Sequence, residues 1–373
     1  VKVEHDNSSP TSSRAKIQLN SGQRIELWIE ANVPLDSKAD HWLFLLLPIC
    51  MQIGEDLEVT GTLSASALEA SAKAKAELLK GHRKMQDIQI IYQGIFADST
   101  KPINEQRATG LFFSAGLDSM FASEMQSDID ALISVWGFDI PVRNEKHWGL
   151  SLDLFEEYAA EVKKPLIVIK TNIRELSNGL LEWGGDYHGS ALAGVASALS
   201  SQLDKVYISG GRKLNHTSWG TTPDLCSAFS TANQVIEETV SVNRVAKAAA
   251  IANNPRSELV RVCYRNITGL ANCGTCKKCV RTRLEFDLVK ATYRPRGLER
   301  KPKFSEIFST RLASWDYLCY IDALSWAKKH GARGTVLPLM FVVIVRFKSI
   351  LQTQIGKVLG TTDWVKGKPK AGP

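Results

Sequence analysis

Leu111-Phe112-Phe113-Ser114-Ala115-Gly116-Leu117-Asp118-Ser119 is the stretch whose reading decides the fold. Three apolar residues close a buried strand, a Ser-Ala-Gly turn follows, and Asp118-Ser119-Met120-Phe121-Ala122 opens a helix. A strand, a tight turn and a helix N-terminus together form an anion site, because backbone N–H groups converge there and the helix dipole favours negative charge. Small residues let a ligand approach the backbone closely, and Ser114 and Ser119 add hydroxyl donors. Asp118 is the odd member, since a carboxylate repels a phosphate. It fits as a helix cap or as the holder of a Mg²⁺ that bridges to the phosphate. The bland alternative is a plain strand-to-helix connection built from small residues.

Outward from this stretch the pattern alternates strand and helix, the mark of a parallel sheet covered on both faces. Strands are expected at 110–113, 131–136, 165–170 and 205–209, with helices at 118–125, 150–162 and 187–201 and a mostly helical stretch at 232–253. Ligands in such sheets sit beyond the carboxyl ends of the strands. Those ends hold Ser114–Ser119, Gly137–Asp139, Thr171–Asn172 and Ser209–Gly211.

Four of the seven cysteines are grouped, as Cys263, Cys273, Cys276 and Cys279, in a C-x9-C-x2-C-x2-C pattern. Four thiolates at this spacing suit a closed tetrahedral Zn²⁺ site. Gly274 allows a tight knuckle, and Lys277 and Lys278 are placed to offset the charge of the centre. An iron–sulfur cluster is the rival occupant.

The loop resembles the Ser-Gly-Gly-x-Asp-Ser loop of the ATP pyrophosphatases, the PP-loop family; no Lys follows it, so it is not a Walker loop. Ala115 stands where that family has Gly. The loop, the Cys-Tyr at 263–264, the Cys-Gly-x-Cys-x-x-Cys at 273–279 and Arg281-Thr282-Arg283 together resemble the 7-cyano-7-deazaguanine synthase family. The resemblance spans about residues 105 to 290 and leaves both flanks unmatched. It implies an α/β fold: a parallel-sheet PP-loop domain of the adenine nucleotide alpha hydrolase type with a four-cysteine zinc knuckle. It further implies ATP and Mg²⁺ bound at Ser114, Ala115, Gly116, Leu117, Asp118 and Ser119, with Asp118 and Ser119 catalytic. Gly137, Phe138 and Asp139 would edge the adenine, and Zn²⁺ would sit on the four cysteines. The implied reaction is adenylation of a carboxylate or amide oxygen of a 7-deazaguanine-like heterocyclic acid, then attack by an amine or ammonia.

Other residues enter as weaker candidates. Asp139 and Arg143 read equally as a loop ion pair. His188 either contacts phosphate or packs, and Lys170 or Lys213 is placed to steady the α-phosphate. The segment 213–231, with His216, Trp219 and Asp224, is the expected substrate loop. An alternative function is sulfur transfer on tRNA, which needs a nucleophile outside the metal set; of Cys50, Cys226 and Cys319, only Cys226 lies in the substrate loop. A third reading is a non-catalytic nucleotide-binding scaffold.

Three regions follow: a small α+β module at 1–100, the ATP-binding domain at 101–293, and a basic, helical extension at 294–373. Residues 1–15 read as loose. A hairpin turns at Ser21-Gly22, and a helix from Ser64 to Lys80 is capped by Ser64. The net charge is +7, yet 294–373 carries 15 Lys/Arg against 5 Asp/Glu, so the rest sums to −3. That basic region points either to a nucleic-acid partner or to a solvated surface. No run has the length of a membrane span. A cytoplasmic enzyme, possible as a homodimer, is the expectation.

Overall fold

The computed structural model describes residues 1–82, 84–98, 107–211, 220–267, 269–309, 314–332, 339, 340 and 343. They form an α/β protein with one ten-stranded mixed sheet. Its second half is parallel throughout: β6 (Ala108–Phe112), β7 (Ala131–Trp136), β8 (Leu166–Thr171), β9 (Leu203–Ile208) and β10 (Val235–Glu238). Across the sheet they run β10-β9-β6-β7-β8, every neighbouring pair parallel. Apolar residues alternate between two cores. Phe112, Ala131 and Ile133 pack on one face of the sheet and Leu111, Phe113 and Leu132 on the other. A parallel strand buried on both faces needs this near-continuous apolar run.

The first half contains β1 (Lys2–Ser9), β2 (Ser12–Gln18), β3 (Arg24–Ala31), β4 (Leu57–Ser64) and β5 (Ile90–Phe96), ordered β3-β2-β1-β4-β5. The expected hairpin is β2–β3, with its turn at Ser21-Gly22. Residues 2–9 are not loose, however: they form β1, paired to β2 and to β4. Val1 and Val3 are buried while Lys2 and Glu4 are exposed, so a strand with one open face kept a polar composition. Helix α1 (Asp40–Ile53) has Pro48 inside it and is almost wholly buried. Helix α2 (Ala65–Gly81) starts at Ser64, whose hydroxyl accepts from the Ala67 N–H.

The two halves share one sheet. β3 pairs antiparallel with β8 through Ile29–Thr171, Glu30–Lys170 and Ala31–Ile169. Side chains extend this seam: Asn172 accepts from the Trp28 N–H at 2.9 Å, and Asn32 accepts from the Val168 N–H at 2.8 Å. They also share a core, because α1 packs against α6 (His188–Ala198). A Cβ on Gly194 would stand 2.4 Å from the Leu45 side chain, so only glycine lets these helices approach so closely. The Tyr187 hydroxyl donates to the Leu45 carbonyl at 2.9 Å.

Around the parallel half lie α3 (Leu117–Met125), α4 (Glu145–Val162), α5 (Ile173–Ser177), α7 (Pro223–Ala228), α8 (Arg244–Ile251) and α9 (Lys277–Leu288). The expected helical stretch at 232–253 is corrected: it holds β10 as well as α8. Beyond it come α10 (Phe304–Ser309) and α11 (Ser314–Lys329), with Tyr320, Ala323 and Ala327 packed on Val280 and Leu284 of α9. Several basic residues of this extension pair with carboxylates: Arg294 with Asp287, Arg296 with Glu157 and Arg300 with Glu306. Of the extension beyond 332, only 339, 340 and 343 are among the described residues. No described helix is long and apolar enough to cross a membrane.

Candidate functional site

The chain leaves β6, adds β7 and β8 on one side, then crosses to place β9 on the other. The carboxyl end of β6 is therefore a topological switch point, where open α/β sheets hold ligands. Ser114–Ser119 occupies that position. Ala115 is buried with φ of 52°, in the left-handed region, and its carbonyl accepts from the Arg261 N–H at 2.7 Å. Gly116 caps α3 in an extended conformation with no side-chain acceptor for the first-turn N–H groups. Ser119 ties the turn together, accepting from the Ser114 N–H at 3.3 Å and donating to the Gly116 carbonyl at 3.2 Å. Leu117 is buried beneath the helix start. The result is an N-terminus with open donors, the arrangement that takes an anion.

Asp118 is not the cap of α3. Its carboxylate accepts from Arg244 Nη1 at 2.9 Å and from Lys247 Nζ at 2.6 Å. Burial works against its charge, but Arg244 and Lys247 prevail and hold its pKa down at about 2. The Lys247 ammonium has no accessible surface and also donates to the Gly210 carbonyl, beyond β9. Glu238 at the end of β10 accepts from the Gly211 N–H at 3.0 Å, and burial raises its pKa despite that bond. Two cations from α8 thus stand at the loop, Arg244 and Lys247, where the sequence pointed to Lys170 or Lys213. Arg244 and Lys247 lie three apart, on one helix face. The signal was a lone Lys among alanines at 246 and 248–250, which reads as an ordinary solvated face.

At the end of β7, Gly137 has φ of 109°, and a Cβ there would lie 1.8 Å from the Thr171 carbonyl oxygen at the end of β8. Phe138 packs edge-on to Trp183 with centroids 5.0 Å apart, and the Arg174 guanidinium lies 4.2 Å over the Trp183 ring. Asp139 keeps an exposed surface while cations surround it. Crowding by its neighbours opposes the charge, yet Lys278, His188, Arg261 and Arg174 lower its pKa. It forms no ion pair with Arg143; its carbonyl instead accepts from Asn266 Nδ2 at 2.9 Å. His188 has a lowered pKa, from burial first, with Lys278 and Arg174 adding to it against Asp139. This wall is aromatic, cationic and open to solvent. Lys170 is not aimed at the loop. Its ammonium sits over Trp136 at 4.5 Å and Trp28 at 5.5 Å. Lys213, His216 and Trp219 lie outside the described residues.

The four cysteines converge. Their sulfurs all lie within 4.8 Å of one another, with Cys273–Cys279 at 3.9 Å and Cys276–Cys279 at 3.4 Å. Four sulfurs about 2.3 Å from a tetrahedral zinc stand about 3.8 Å apart, so the cluster has the size of a metal site. None of the four is in a disulfide. The knuckle is shaped by Gly274, with φ of 69°, and by the Cys276 N–H, which donates to Cys273 Sγ at 3.3 Å. Cys276 is also the N-cap of α9. Lys277, next to Cys276, pairs with Asp316 at 3.0 Å.

The knuckle helix reaches the loop through a chain of charges. Arg281 pairs with Asp316 at 2.7 Å and with Glu285 at 3.8 Å; Glu285 pairs with Arg244 at 3.2 Å; Arg244 pairs with Asp118. So α11, α9, α8 and the loop share one network of charges. Comparison with family models, curated proteins and solved structures finds no match to this chain.

Proposed function

We propose that the chain is an ATP-dependent enzyme of PP-loop type that adenylates an acid, the activity its resemblance to 7-cyano-7-deazaguanine synthases implies. The observation that carries the reading is the pairing of an uncapped helix N-terminus with Arg244 and Lys247 at a switch point. The strand order β8-β7-β6-β9-β10 supports it, because it brings Ser114–Ser119 beside Gly210.

In this reading the N–H groups of Gly116 to Ser119 and the Ser114 hydroxyl hold the β- and γ-phosphates, and the Ser119 hydroxyl joins them on turning from the Gly116 carbonyl. Arg244 and Lys247, which Asp118 positions, neutralise charge that builds on the phosphates as the α-phosphorus is attacked. Asp118 is the carboxylate that would hold Mg²⁺, which supplies further neutralisation. Phe138 and Asp139 edge the adenine, and the flat acid lies against the wall of Trp183, Arg174 and His188. The substrate carboxylate displaces pyrophosphate, and an amine or ammonia then displaces AMP. The four cysteines hold zinc as a cross-link that fixes α9; no step passes through it.

The sulfur-transfer alternative draws no support from its nucleophile. Cys226 is 1% exposed, and burial pushes its thiol pKa well up, so it is a thiol at neutral pH. Incubation with ATP, magnesium and 7-deazaguanine carboxylic acids tests the proposal by release of AMP and pyrophosphate. Release with none of these acids overturns the substrate class. ATP binding without turnover on any acid favours the scaffold reading.

A further inference from the structure

Among the described residues the sheet ends at β5, and nothing in that strand's sequence guards the edge. Ile90-Ile91-Tyr92-Gln93-Gly94-Ile95-Phe96 contains no charge and no proline, the devices by which edge strands avoid pairing. Four of its large side chains face solvent: Ile91 is 47% exposed, Tyr92 40%, Ile95 51% and Phe96 52%. No other described strand presents such a group. The Gln89 carbonyl accepts from the Leu57 N–H, so odd-numbered residues turn their main-chain groups toward β4. By alternation Ile90, Tyr92, Gly94 and Phe96 turn theirs outward.

We propose that β5 pairs antiparallel with β5 of a second copy, joining two sheets of ten strands edge to edge. The strand is complementary to itself about Gln93. In that register Ile91 faces Ile95, Ile90 faces Phe96, and Tyr92 covers Gly94 of the other copy. An aromatic ring across from a strand glycine is a favourable cross-strand pair. Tyr92 and Gly94 exchange the outward hydrogen bonds, and the two Gln93 residues form the close, non-hydrogen-bonded pair. The absence of charge on the strand means that self-pairing brings no like charges together. This surface is independent of the nucleotide site.

Sedimentation of the full chain tests it, with mild oxidation of Gln93→Cys as the second measurement. At the close pair the Cα atoms stand about 4.5 Å apart, within disulfide range. The expected result is a dimer that dissociates in Ile91→Lys/Ile95→Lys, with Gln93→Cys cross-linking through residue 93 in peptide mass spectra. A monomer at micromolar concentration overturns the proposal. So does a dimer that survives both lysines, or one whose Gln93→Cys variant does not cross-link at 93.

Discussion

The Lys247 ammonium, with no accessible surface of its own, donates to Asp118 at 2.6 Å in the first turn of α3. An ammonium is kept in so enclosed a place only by paired carboxylates and carbonyls. Replacing it leaves Asp118 with Arg244 alone. Lys247→Met is expected to cost about 2 kcal/mol, the low side for a broken buried pair because Asp118 is 35% exposed. ATP affinity should fall at least about tenfold, or about 1.4 kcal/mol. Adding Asp118→Asn should restore much of the stability and none of the affinity. Thermal melts and ATP calorimetry on the three proteins check this; full recovery of affinity would remove Lys247 from the phosphate site.

Asp118 titrates at about 2 in the folded chain against an ordinary 3.8. A depressed carboxylate contributes its stabilisation in full above the unfolded value, and loses it as pH falls through the folded one. The stabilisation should therefore be constant from neutrality to about pH 4 and decline between there and pH 2. Asp118→Asn should flatten that part of the melting-temperature profile. An unchanged slope would mean that other carboxylates carry the acid limb.

Ala115 holds φ of 52° with its methyl buried. A left-handed alanine costs about 1–2 kcal/mol. Ala115→Gly relieves that, but it loses a buried methyl of about 0.8 kcal/mol and frees the unfolded chain by about 0.5–1 kcal/mol. These offset one another. Ala115→Gly should melt within a few degrees of the parent and keep its ATP affinity. Ala115→Val, β-branched and ill-suited to positive φ, should cost about 2 kcal/mol or more and weaken ATP. Equal behaviour of the two variants would contradict the turn geometry.

Metal analysis should find one zinc per chain, and Cys276→Ser should lose it. Because α9 carries Arg281 and Glu285 into the network that ends at Asp118, ATP affinity should fall with the metal, although no cysteine touches the loop. Cys50→Ser, buried in α1 and outside both the cluster and the charge network, should keep both. Iron with visible absorbance would replace zinc as the occupant.

What the sequence made legible was local. Ser114–Ser119 follows a strand and opens a helix as its small residues predict, and the four cysteines meet as their spacing predicts. β10 escaped because only Ile236 of its four residues is buried, so no period shows. β1 escaped because its outer face is polar. Arg244, Lys247, Arg174 and Arg261 escaped because their meaning lies in partners more than 30 residues away: Asp118, Phe138 and His147. Polar contacts over such separations leave no pattern in a single chain.

The β3–β8 seam makes the two halves inseparable. Excising residues 1–100 would bare the Leu166–Thr171 strand along the side where Ile29, Glu30 and Ala31 now pair. It would also strip α1 from α6, opening the core around Leu192 and Val195 to water. A shortened protein that kept the whole loop and all four cysteines would thus present a raw sheet edge beside a bare apolar helix, and its fate would be aggregation.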